Sequence, residues 1–551
     1  MSSSTKKAIE LRSRREASKL LSKLFKCSTE FNLPTPVKNN RTNIAEPRPV
    51  IENSDVSFAE PLMDTNDSTT ENEIEYDVDY ENGYEISFEN ETFSQKLCQW
   101  SIRNYISNNA LNELLGILRE NGINVPKDCR TLKKTPNDVI VRSMGNGFYS
   151  HYGFKDCLTD FLIANSTYAS NLIEIDINID GLPLCKSSTK QVWPILGNVP
   201  TYPEVFLIGV YEGYSKPENS NEYLSEFVEE FTDLINNGLH FKNRVFKVKL
   251  RTIIMDAPAR AFVLGIKGHS GYFSCTRCTA KGEMHKNRVV FPSIDSDIRT
   301  NDSFRRRDQS EHHVRQENSI IENIDMDMIK QVPLDYMHLI CLGVVKTLLK
   351  CWARVKGENY SLPSWNIAKI SEKLLVLKTC VPSDFARKPR SIDDLERWKA
   401  TEFRQFLLYS GPCVLKGIVS EERYTHFMNL SVATRILLDE RTNHADKDFA
   451  QHLLVSFVNR ISALYDKSLL SYNFHNLIHI GADAKEYGSL ESVSAFRFEN
   501  HLQKIKKEVK KSNNVCAQIY KRQVEKSLAS STTLKSKNPT FGSRQTCHES
   551  H

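Results

Sequence analysis

From Ile173 to Asp180 the chain reads I-E-I-D-I-N-I-D, with isoleucine at every odd position and an acid or its amide at every even one. A period of two in β-branched residues predicts a strand with one buried face. The opposite face carries Glu174, Asp176, Asn178 and Asp180 and no cation, which a solvated face would ordinarily include. The apolar run Tyr202 to Tyr211 predicts a second strand, and spacing of 3.6 predicts a helix over Tyr223 to Asn236. The strand Arg244 to Met255 ends in Asp256, and Ala257-Pro258-Ala259 opens a helix with proline in its first turn. Strand, strand, helix, strand and helix in this order predict an α/β unit, a mixed sheet flanked by helices.

Elsewhere the period is helical. Leu97, Trp100 and Ile102 mark one short helix, and Leu111, Leu114, Leu115 and Leu118 a second. The second follows the Ser107 cap signal and ends at Gly122. Residues 340–485 read as wholly helical, in segments Leu339 to Val355, Ile367 to Leu377, Trp398 to Tyr409, Tyr424 to Leu438 and Phe449 to Tyr465. A last helix runs from Val493 to Val509, with Phe498, Leu502, Ile505 and Val509 on one face.

Charge adds information through its distribution, since the net value of +5 is small. Residues 1–26 carry eight Lys/Arg against two Glu; their helical spacing suits either a DNA-contacting or nuclear-targeting arm or a solvated helix. Ile51 to Glu91 holds fourteen acids and no Lys or Arg. Residues 27–93 bury too little apolar surface to order themselves and are expected to be a linker. After His501 the chain turns basic again. No apolar run approaches the roughly 18 residues of a membrane span, and no secretory leader pattern is visible. Thirteen scattered cysteines, with one C-x-x-C at Cys275 and Cys278, suit a reduced compartment better than a disulfide framework.

Two acids stand where α/β sheets place reactive groups. Asp180 and Asp256 each close an apolar strand, where the backbone is anchored and the side chain accessible. Asp176 faces the same way as Asp180 but lies about 13 Å from it at about 3.3 Å per residue, so the two cannot share one ion. Each has a plainer reading: Asp256 as a helix N-cap, Asp180 as the first residue of an Asp-Gly turn. The C-x-x-C suggests half of a zinc site, completed from His285, His312 or His313, with two buried thiols as the competing reading. His475 and His479 lack the glutamate of H-E-x-x-H, which excludes a zinc protease and leaves structural roles.

The order I-D-G-L-P-L, K-Q-V-W-P-I-L-G, M-D-A-P-A-R, G-H-S-G-Y-F-S-C-T-R-C, V-P-L-D-Y-M-H-L-I-C-L-G-V, H-N-L-I-H-I-G and F-R-F-E-N-H-L-Q-K-I-K-K-E-V resembles the catalytic region of CACTA (En/Spm-like) DNA transposases over residues 170–510. Residues 96–135 are similar to the N-terminal part of transposon-derived proteins of animal genomes. The resemblance implies an RNase H-like fold with a DDE/D site. Asp180, Asp256 and Glu499 would then be the three metal-binding catalytic carboxylates, with Asp335 and His338 as an accessory pair. It implies two Mg²⁺ or Mn²⁺ ions, a nuclear location, and DNA (transposon ends and target) as partner, with a second copy of the chain besides; zinc at the cysteines rests on the C-x-x-C alone. Lys247, Lys249, Arg251, Lys506 and Lys507 would contact phosphates. Where the family has R-x-x-L after its F-E, this chain has Asn500-His501-Leu502.

The expected layout is a basic arm (1–26), an acidic linker (27–93), a small helical region (94–140) and an RNase H-like core with the C-x-x-C element (165–339). A helical insertion (340–485), the terminal helix of the core (486–511) and a basic disordered tail (512–551) follow. The function implied is metal-dependent DNA strand cleavage and transfer. The alternatives are a catalytically inactive, domesticated DNA- or chromatin-binding protein and an intracellular interaction scaffold.

Overall fold

The computed structural model describes residues 92–535, apart from 186, 187 and 316. The expected basic arm, the linker up to residue 91 and the tail beyond 535 lie outside the described residues.

Eight strands form one mixed sheet: β1 (Arg142–Met144), β2 (Gly147–His151), β3 (Leu172–Ile179), β4 (Leu182–Cys185), β5 (Ser188–Asn198), β6 (Val205–Gly213), β7 (Leu239–Phe241) and β8 (Arg244–Ile254). Their order is β1-β2-β6-β5-β3-β8-β7, with β4 paired to β5. Every pairing is antiparallel except β3 with β8, which run parallel in the middle of the functional half of the sheet. The sheet therefore begins before residue 165, the expected edge of the core. The β1–β2 hairpin, closed by Gly145-Asn146 with Gly145 at φ 52°, has strands too short to show a period.

Each face of the sheet has its own core. The isoleucines of β3 (173, 175, 177 and 179) pack with Trp193 and Ile195 beneath the helices Phe154–Ala164, Ser220–Asn237 and Ala257–Leu264. On the other face, Leu182, Val192, Leu196, Leu207, Val210 and Ile254 meet Phe498, Leu502 and Ile505 of the helix Phe496–Glu508. The apolar stripe read from the sequence is thus the stripe that docks this helix. Burial of each such side chain contributes about 1.5–3 kcal/mol.

Val515–Lys535 is a helix, where a disordered tail is expected over 512–551. Its Val515, Cys516 and Ile519 are buried against the same sheet face, and Cys516 Sγ approaches the Val210 carbonyl at 3.5 Å. A run rich in Ser, Thr and Lys hides this short stripe from a compositional reading.

Residues 340–485 are helical as expected, without a strand. Glu421–Leu438 packs along His444–Asn459, and Ile480–Tyr487 leads back towards the sheet. The stretch Met337–Val345 has π-helical hydrogen bonding, a geometry frequent at functional sites, and His338 is its second residue. The N-terminal helices are Phe93–Arg103 and Asn108–Glu120, the latter capped by Ser107. Among the described residues no helix is long and apolar enough to cross a membrane.

Candidate active site and metal centre

The parallel register of β3 and β8 decides where the first two acids sit. Asn178 lies opposite Ile254, and its Nδ2 donates to the Ile254 carbonyl at 2.9 Å. Asp180 and Asp256 each follow two residues later, so they leave adjacent strands, about 4.8 Å apart, at the same level. The Gly181 amide donates to Asp180 Oδ1 at 2.7 Å, the Asp-Gly turn read from the sequence. Gly181 is required there, since a Cβ would stand 2.9 Å from Trp193 Cζ2. Asp256 does cap its helix, accepting from the Ala259 amide at 2.7 Å. A cap through one oxygen leaves a carboxylate further lone pairs, so capping and ligation are compatible.

Glu499 reaches this place from the first turn of the helix Phe496–Glu508. Ligand atoms of Asp180, His338 and Glu499 all lie within 4.8 Å of one another. His338 Nε2 is 3.9 Å from Glu499 Oε1, and its Nδ1 is 2.7 Å from Asp335 Oδ2. Asp335 is buried and also accepts from the amides of Ala495 at 2.9 Å and His338 at 3.1 Å. One carboxylate therefore fixes both the imidazole and the start of the helix that carries Glu499.

The electrostatics match an anionic recess. Burial pushes the Asp180 carboxyl well above the usual range, and the charges of Asp256 and Glu499 push it further. Glu499 is raised by burial as well, against the opposing pull of His338 and a hydrogen bond shared with Asp180. His338 is held at about 10: burial lowers it, but the hydrogen bond and charge of Asp335 outweigh this, with Asp180 and Glu499 adding. His338 is thus the one cation among these carboxyls, and a divalent ion bound beside it would favour the charged forms of Asp180 and Glu499.

The rest of β3's polar face has a different use. Asp176 is fully buried, its Oδ2 2.7 Å from Arg251 Nη1 and its Oδ1 accepting from Thr252 at 2.6 Å, with Arg497 Nη1 at 3.8 Å. Asp176 and Asn178 are core groups and not surface, and only Glu174 remains partly exposed. A register shift between Ile175 and Asp176 brings Arg251 beside Asp176. That corrects the reading of Arg251 as a phosphate contact, because its guanidinium is taken up internally by Asp176 and Ser492. Lys247, Lys249 and Lys507 are exposed, and Lys506 donates to the Pro183 carbonyl at 2.9 Å.

A second cluster lies apart from the acids. Cys275, Cys278, His475 and His479 are all buried, with ligand atoms within 4.8 Å of one another. The two sulfurs are 3.5 Å apart, and Cys278 Sγ is 3.3 Å from His475 Nε2. Although burial raises the Cys275 thiol, hydrogen bonds with Cys278, His475 and His479 hold it well below its ordinary range. The Cys275 hydrogen bond, then burial, pushes Cys278 up. The histidines expected here are elsewhere. His285 Nε2 faces Asp466 at 3.6 Å, His312 Nδ1 faces the Phe273 carbonyl at 2.6 Å, and His313 packs on Phe304. The sequence signal was an i, i+4 histidine pair, which has meaning only beside a second half-site about two hundred residues away.

No protein-family model matches the chain, and a search of the curated proteins returns no match.

Proposed function

We propose that the chain is a DDE/D polynucleotidyl transferase on an RNase H-like sheet: a CACTA-type transposase, or a descendant of one, that cuts and joins DNA in the nucleus. The observation that carries this reading is that Asp180 and Glu499 stand with His338 within 4.8 Å of one another, while Asp256, outside that group, leaves the adjacent strand end and acts on Asp180 through its charge. The donor set fits its metal, since carboxylate oxygens are the ligands that Mg²⁺ and Mn²⁺ prefer. Asp180, Asp256 and Glu499 would hold the ions. Bound there, divalent ions would activate the attacking oxygen and stabilise the leaving one in an in-line displacement at phosphorus.

The chain's own contribution is position. Asp180 and Asp256 are fixed by paired strands, and the turn amide of Gly181 and the cap amide of Ala259 each orient one carboxylate. Asp335 sets the His338 ring and the first turn bearing Glu499. Exposed Lys247, Lys249 and Lys507 supply cations for phosphates, which makes binding steeply salt-dependent. The test is incubation with supercoiled DNA and Mn²⁺, comparing wild type with Asp180→Asn and Asp256→Asn. Nicking or joining that both variants lose supports the reading. DNA binding without Mn²⁺-dependent cleavage in the wild type points to the recruited, inactive form, and neither activity points to a scaffold.

A further inference from the structure

We propose that Cys275, Cys278, His475 and His479 form a closed structural zinc site that clasps the two halves of the catalytic region together. Thiolates bind zinc at about 2.3 Å and imidazole nitrogens at about 2.0–2.1 Å, so in a tetrahedron two sulfurs stand about 3.8 Å apart and a sulfur and a nitrogen about 3.6 Å. The observed separations are 3.5 Å for Cys275 Sγ to Cys278 Sγ and 3.3 Å for Cys278 Sγ to His475 Nε2. Both lie within about 0.3 Å of the tetrahedral distances. His475 Nδ1 and His479 Nε2 are buried with no hydrogen-bond partner, a costly state for an imidazole that ligation would relieve at one ring at least.

The donor chemistry selects the ion. Two soft sulfurs with two imidazoles suit zinc and not the hard ions of the carboxylate recess. Four protein ligands, each nine-tenths buried or more, leave no open coordination position for a substrate, which marks a structural site and not a catalytic one. The cysteine turn is also built for thiolates: the Arg277 amide donates to Cys275 Sγ at 3.4 Å, and Arg299 Nε holds the Cys275 carbonyl at 3.2 Å.

The position of the site in the chain gives the zinc its role. The cysteine turn follows the helix Ala257–Leu264, whose cap is Asp256. The histidines belong to the segment Tyr472–Asn476 and to the cap of Ile480–Tyr487, which leads to the Glu499 helix. Between the cysteines, Arg277 makes a bidentate ion pair at 2.8 and 2.9 Å with Asp483 of Ile480–Tyr487. The same two segments are thus joined twice, once by this ion pair and once by the metal.

The inference does not depend on the strand-transfer reading, and its test is separate. The full chain, purified without added metal and dialysed against EDTA, is measured for zinc by plasma mass spectrometry. About one tightly held zinc per chain is expected, with full retention in Asp180→Asn and loss in Cys275→Ser/Cys278→Ser. Should the double variant fail to fold, cobalt exchanged into the wild type must give sulfur-to-cobalt charge-transfer absorption and the intense visible bands of four-coordinate cobalt. Zinc-free wild type that takes up cobalt without charge-transfer bands overturns the proposal. So does zinc that Asp180→Asn loses, which would place the metal at the carboxylates.

Discussion

Arg251→Leu distinguishes two roles that the strand Arg244–Ile254 could give this arginine: a DNA contact, or the counter-ion of a core carboxylate. In the structure Arg251 Nη1 lies 2.7 Å from Asp176 Oδ2, with Asp176 fully buried. Removing one partner of a buried pair costs about 3–5 kcal/mol, because the remaining charge is left uncompensated. Here Thr252 and Arg497 still face Asp176, so the lower end, about 3 kcal/mol, is expected. The thermal midpoint should fall by roughly 3 °C. The loss has a pH signature. Burial already raises the Asp176 carboxyl, against the pull of Arg251 first and then of Thr252 and Arg497, and deleting Arg251 raises it further. A raised acid costs stability as pH climbs through its folded value. The deficit of the variant should therefore be smallest below about pH 4, where Asp176 is protonated folded and unfolded alike, and grow as pH rises. Asp176→Asn/Arg251→Leu, which removes the charge as well, should recover most of the loss. Scanning fluorimetry across pH, with DNA binding measured against salt, checks both halves. A variant with wild-type stability and a salt slope reduced by about one would refute the internal role and restore the phosphate contact.

Two further predictions concern the site and the last helix. Gly181→Ala forces a Cβ into Trp193 Cζ2, 2.9 Å away, and should cost about 1–3 kcal/mol while shifting Asp180; loss of Mn²⁺-dependent nicking well beyond the loss in folded fraction, read by circular dichroism on the same sample, is the expected result. Ending the chain at residue 514 removes Val515, Cys516 and Ile519 from the second core cluster, and the truncated protein should be cut by trypsin within the sheet region at least ten times faster than the full chain, as about 1.4 kcal/mol of lost stability requires.

The sequence and the structure agree where a local period reports a burial face. The isoleucines of β3 and the Phe498–Leu502–Ile505 stripe are read directly, since each pattern names the side that meets the core. The hairpin Arg142–His151 escaped because three- and five-residue strands carry no measurable period. Val515–Lys535 escaped because three apolar residues dock it within a polar run. Asp180 and Asp256 were legible as strand ends, but their pairing required the parallel neighbour relation of β3 and β8. The fourth side chain of the recess, His338, was legible with Asp335 as an i, i+3 pair, but the tie from Asp335 to the Ala495 amide spans 160 residues of sequence and leaves no local trace. His475 and His479 show the same limit, since a metal site split between distant segments looks like two ordinary fragments until the chain is folded.

The cation-free face of β3 is explained by two kinds of positive charge, neither in the strand itself. Its middle, Asp176, is neutralised from within by Arg251 of β8 and by Arg497, two residues before Glu499. Arg497 also donates to Asn198 at 2.8 Å and to the Ser492 carbonyl at 2.6 Å, so the helix bearing Glu499 is tied to the sheet through Asp176 and Asn198. The end of the face, Asp180, has no arginine; its neighbours are Asp256, Glu499 and a single imidazole. A fold needing only a satisfied carboxylate at this strand end could have used the arginine solution it uses two pleats away. Burial first, and then neighbouring acids, raise Asp180 and Glu499 although His338 pulls both down, and a further cation would relieve what His338 leaves. The contrast between Asp176, paired with two arginines, and Asp180, left with two acids and one imidazole, is what makes this strand end a candidate cation site, and it is visible without any resemblance.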